Sequence, residues 1–92
     1  MMMNKELNMN TYQERVGRYR ILKHEDMPEA HKAEYRINGI DPDTLWTLVW
    51  SFDDLIAAND CLKDEQGYAA SWQTYKLVDG GHPTTIERTT WF

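Results

Sequence analysis

Residues 45–67, LWTLVWSFDDLIAANDCLKDEQG, constrain the fold more than any other stretch, because they read as one strand running into one capped helix. Over residues 45–50, period-two side chains put Trp46, Leu48 and Trp50 on one face and Leu45, Thr47 and Val49 on the other. Aromatic and β-branched residues favour such a pleated strand. Ser51 has an N-cap side chain, and Asp54 three residues later forms a capping box with it, a cap worth about 1 kcal/mol. Asp53 and Asp54 lie where the helix dipole favours negative charge. Gly67 is the natural stop, since glycine takes the left-handed conformation past a helix end.

On the helical wheel Phe52, Leu55, Ile56 and Leu62 share one stripe, each worth roughly 1.5–3 kcal/mol if buried. Asp53, Asp60 and Asp64 lie on the opposite side. Asn59 points along the apolar stripe, so burial would oblige its amide to find partners. Cys61 faces away from the expected core, in an acidic setting that raises a thiol pKa and argues against a nucleophile.

The rest of the chain can be placed around this unit. Residues 1–10, MMMNKELNMN, read as a flexible leader without periodicity, and the three consecutive methionines leave the start site open. Thr11 and Glu14 have capping-box spacing, but Gly17 would end such a helix early. An extended reading is preferred from Arg18, with Tyr19 and Ile21 inward and Arg18 and Arg20 outward. Residues 24–32 contain a helix-start pattern, Asp26-Met27-Pro28-Glu29, enough for one turn. Residues 34–38 alternate again, with Tyr35 and Ile37 on one side and Glu34 and Arg36 on the other. Turn formers fill residues 38–43. Residues 72–78 read as a strand, Asp79-Gly80-Gly81-His82-Pro83 as a turn, and residues 84–92 as the partner strand of a hairpin.

The expectation is a single α+β domain over residues 11–92, in the order β-β-β-α-β-β. It has two layers: a four- to five-stranded, mostly antiparallel sheet with one main helix on one face. The strands flanking the helix should run parallel, through a right-handed crossover. The 45–50 strand is apolar on both faces and the chain has 11 aromatic residues. The second sheet face therefore needs a cover: the leader, residues 24–32, or a second chain in a homodimer.

Charge narrows the function. Of the net charge of −5, residues 41–66 carry −6, from seven acidic residues against Lys63 alone. A chain built to grip a phosphate backbone is usually basic, so nucleic acid is the less expected partner. One cysteine excludes an internal disulfide and is compatible with a reducing cytoplasm, the expected location. No apolar run approaches the ~20 residues needed to span a bilayer, and no signal-peptide core is present. His24, His31 and His82 lack metal-ligand spacing, no glycine motif cradles phosphate, and no carboxylate pair stands out as acid and base. The expectation is a chain that is not an enzyme and uses no metal or cofactor.

Two surfaces remain. Trp46, Trp50, Asp53, Asp60 and Asp64 would dock a protein partner with a basic surface, the carboxylates steering association. Alternatively Arg18, Arg20 and Arg36, aligned on neighbouring strands beside tryptophan, would bind single-stranded nucleic acid. In size and charge the chain is similar to small acidic inhibitors encoded by phages or mobile elements. That resemblance implies a non-enzymatic protein-binding role against a host nucleic-acid-handling complex, in defence or replication.

Overall fold

The computed structural model describes residues 9–91. Most of the expected leader, residues 1–8, lies outside the described residues, while Met9 and Asn10 belong to the first strand. The class is α+β: β1 (Met9–Val16), β2 (Tyr19–Glu25), α1 (Glu29–Ile37), a 3₁₀ turn (Pro42–Thr44), β3 (Thr47–Phe52), α2 (Leu55–Tyr68), β4 (Gln73–Asp79) and β5 (Thr84–Trp91). The strands form two antiparallel sheets, β3-β2-β4 and β1-β5, rather than one.

The central strand is β2, and β3 is an edge. β2 earns the centre through Ile21, which is fully buried between Trp50 and Leu77 in the register. Both β3 and β4 run antiparallel to β2, so they are parallel to each other with β2 between them. A bulge at Ile21/Leu22 shifts the β2–β3 register.

The expected hairpin of the last two strands does not form, because β5 pairs with β1. The two segments 9–25 and 73–91 instead make one long antiparallel ribbon, bent where Gly17 and Arg18 face residues 80–83. The amide of Gly80 donates to the Arg18 carbonyl at 2.8 Å and bridges the two ladders across the bend. Asp79-Gly80-Gly81-His82-Pro83 is thus a kink inside a ribbon. Gly81, at φ 84, supplies its left-handed step.

Two corrections concern helices. Residues 34–38, expected as a strand, are the last turn of α1 and its C-cap, Asn38. Pro28 is its N-cap, Glu29 stands in the first turn, and EAHKAEYR is rich in helix formers. The capping-box turn at Thr11 is part of β1, where Val16 is buried at the base of the ribbon.

α2 also differs in its ends and its rotation. Ser51 is still in β3, and its Oγ accepts from the Gly17 amide at 2.9 Å. Asp54 is the N-cap, accepting from the Ala57 amide at 3.0 Å. Gly67 lies within the helix, which ends at Tyr68. The inward residue is Ala58, fully buried, flanked by half-buried Ala57, Cys61, Leu62 and Glu65. Ile56 faces outward at 72% exposure, while Leu55, in the first turn three residues before Ala58, is 44% exposed; Asn59 is exposed, so its amide needs no internal partners. A small residue on the inner face lets the helix lie close to the sheet. Burial, then Glu65 of α2, push the Tyr75 hydroxyl pKa up, so α2 lies on the Tyr75–Lys23 side of the sheet.

On the other side Trp46 lies against the sheet. The Lys76 ammonium sits 4.1 Å from its ring centre and the His24 ring 5.4 Å away. His24 Nε2 is 3.1 Å from the carbonyl oxygen of the buried Pro42. The 3₁₀ turn and its exit therefore contribute cover to this face.

Candidate functional site

The buried apolar side chains among the described residues are few: Val16, Ile21, Ala58 and Pro42. Large apolar groups on the surface are more numerous, among them Ile37, Trp50, Ile56, Tyr68 and Trp72. Contiguous exposed apolar surface marks interaction sites. The question is which exposed groups stand beside groups that could select a partner.

The outer face of α2 meets that condition. Ile56, Asp60 and Asp64 stand at i, i+4 and i+8, one row along the helix, with Leu55, Asn59 and Lys63 beside them. Asp60 and Asp64 are exposed and take part in no ion pair among the described residues. The row is apolar at its start and acidic beyond.

The structure does not gather the other expected partner-binding residues with this row. Asp53 precedes the helix, and both its oxygens accept from Arg15, at 2.9 and 3.1 Å. That guanidinium holds the Asp53 carboxyl below its usual range. Trp46 is engaged on the far side of the sheet by Lys76 and His24. Trp50 is half exposed on the edge strand, where it lines a cleft of about 320 Å³ with Glu14, Leu48 and Arg88.

Arg18 and Arg20 meet at the bend beside Asp79, but Arg36 is not brought together with them. Arg18 donates from Nε and Nη2 to the Asp79 carboxylate at 2.8 and 2.9 Å. With help from the Gly81 amide, that contact lowers the Asp79 pKa to about 2. Arg20 donates to the carbonyls of Gly17 and His82, each at 3.1 Å, and so staples the bend. Arg36 is on α1, not on a strand, and lies 3.2 Å from Glu29 and 3.6 Å from Asp43. All three hold the fold.

Cys61 is half-buried on α2, a correction to its expected outward position. Burial, then Glu65 and Asp64, push its thiol pKa up. His24 is on β2, His31 on α1 and His82 in the connection between β4 and β5, and the described residues contain no group of three or more His, Cys, Asp or Glu able to hold a metal ion. No described helix is long and apolar enough to cross a membrane.

One surface escaped the sequence reading. Trp72, Tyr35 and Glu34 meet around the Asp26–Pro28 segment, forming a groove of about 510 Å³. Its only sequence signal was the helix-start pattern at Pro28, which fixes α1 and so the spacing of Glu34 and Tyr35. Compared with protein-family models, curated proteins and solved structures, the chain matches none.

Proposed function

We propose that the chain is a non-enzymatic protein-binding module whose docking face is the outer surface of α2. Its partner would carry a basic surface, as a nucleic-acid-handling complex does, and the chain would act by occupying that surface. The observation carrying this reading is the row Ile56–Asp60–Asp64. The helix leaves Ile56 72% exposed beside these two acids, while its fully buried residue is Ala58. An apolar anchor supplies binding energy, and neighbouring unpaired carboxylates set the association rate and choice of partner.

The test uses the full chain as bait in lysate of the cells that encode it. Three baits are compared by quantitative mass spectrometry: the natural chain, Ile56→Asp, and the double variant Asp60→Lys with Asp64→Lys. The reading expects a partner held by the natural chain and lost by Ile56→Asp. It also expects association with the purified partner to slow in the double variant and to lose its salt dependence. Equal retention by all three baits would refute it.

A further inference from the structure

The groove beside α1 has the composition of a cation site. Its floor is the Asp26–Pro28 segment, fixed at one end by the Asp26 amide donating to the Trp72 carbonyl at 2.8 Å. One wall is α1, whose His31, Glu34 and Tyr35 stand at helical spacings of three and four and so share a face. The other wall is Trp72, 56% exposed, and Tyr35 is 36% exposed opposite. A second depression of about 460 Å³ continues past Asp26 and Trp72, so the surface is an open trough.

Three carboxylates line it: Glu25, Asp26 and Glu34. Glu25 is 3.0 Å from Lys23. Asp26 is 3.3 Å from Lys32, but that ammonium is also 3.0 Å from Asp43 and 3.9 Å from Glu29. Lys32 is thus shared among three acids, two of which, Glu29 and Asp43, also pair with Arg36. The Glu34 carboxylate is in no ion pair among the described residues. The trough keeps an excess of negative charge between two accessible aromatic rings.

We propose that this trough docks an arginine side chain presented by a partner polypeptide, the guanidinium lying on an aromatic face and pairing with Glu34 and Asp26. An ammonium can also sit over a ring, as Lys76 does over Trp46, but guanidinium is planar, stacks flat on rings and pairs bidentately with a carboxylate. An apolar occupant would leave the carboxylates desolvated and unpaired. The proposal does not depend on the outer face of α2.

The test is an NMR titration of the full ¹⁵N-labelled chain with a blocked Gly-Gly-Arg-Gly-Gly peptide. Matched peptides carrying lysine or citrulline, and free spermidine, serve as the other arms. Saturable shifts are expected at the Trp72 indole N–H and the amides of residues 25–28 and 31–35, with a dissociation constant on the order of 1 mM. Lysine should bind more weakly and citrulline not at all. Trp72→Ala and Glu34→Gln should each weaken binding about threefold or more. Both side chains are exposed, so neither variant threatens the fold, and an unchanged sheet spectrum checks this. Ile56→Asp should leave the titration unchanged, which separates this proposal from the α2 reading. No saturable shift, equal binding of citrulline, or indifference to both variants would overturn it. Spermidine binding as tightly as the arginine peptide would replace the polypeptide with a small polyamine and overturn it as well.

Discussion

Gly17→Ala is the sharpest perturbation of the architecture, because Gly17 is the joint between the β1–β5 arm and the three-stranded sheet. The residue is buried, its amide donates to Ser51 Oγ at 2.9 Å, and its carbonyl accepts from Arg20 at 3.1 Å. A Cβ there would lie 2.7 Å from both the carbonyl carbon and oxygen of Phe52 and 3.0 Å from its nitrogen. All three are backbone atoms of a strand fixed by its ladder to Tyr19, so no side chain can swing aside. Restoring ordinary contact requires the joint to open by about 0.7 Å, and overpacking of this kind costs roughly 1–3 kcal/mol. For a chain of this length each kcal/mol lowers the melting temperature by about 4–8 °C. Urea unfolding followed by circular dichroism gives the loss. Hydrogen exchange locates it, with amides of β1 and β5 expected to lose protection before those of β2. A variant within about 0.5 kcal/mol of the natural chain, with its arm still protected, would refute the joint.

Three further outcomes follow from single residues. Gly67→Ala should stabilise by up to about 0.5–1 kcal/mol, since residue 67 is helical and a Cβ there meets nothing within 4 Å; a lowered urea midpoint would restore Gly67 as a helix stop. Asp79, depressed to about 2 by Arg18 and the Gly81 amide, contributes stability that is present above the ordinary carboxylate pKa of 3.8 and lost as pH falls towards 2. The natural chain should therefore exceed Asp79→Asn in urea midpoint at neutral pH and converge with it between pH 4 and 2; a constant difference across that window would contradict the pairing. The Cys61 thiol, raised by burial and by Glu65 and Asp64, should react with iodoacetamide at pH 8 more slowly than a free cysteine and speed up in urea.

The fold was legible where local signals agreed. The strand expected over 45–50 is observed at Thr47–Phe52, and the helix after it and the strand after that appear close to where residue patterning places them, although the caps differ. Topology was not, because a kink and a turn share one vocabulary: Asp79-Gly80-Gly81-His82-Pro83 satisfies either, and only the pairing of β5 with β1 decides. Tyr35 and Ile37 alternate as a strand would, yet both are exposed on α1, where helix propensity and the Pro28 start prevail. The rotation of α2 was hidden because the wheel assumes that large apolar residues face inward. Ala58, too small to weigh on that wheel, makes the contact instead. Of the candidate site, Asp60 and Asp64 were legible as exposed acids. The arginines were not legible as staples, since the acceptors of Arg20 are backbone carbonyls and the partner of Arg18 lies 61 residues away.

The rotation of α2 underlies the proposed function, and a pair of substitutions two residues apart measures it directly. Ile56→Asp and Ala58→Asp are compared by urea midpoint in the purified chain. Ile56→Asp should stay within about 0.5 kcal/mol of the natural chain, as exposed positions do. Ala58→Asp, which buries an unpaired carboxylate, should cost about 3 kcal/mol or more and leave little folded protein. The reverse order, with Ile56→Asp unfolding the chain and Ala58→Asp tolerated, would put the apolar stripe in the core and remove the docking face.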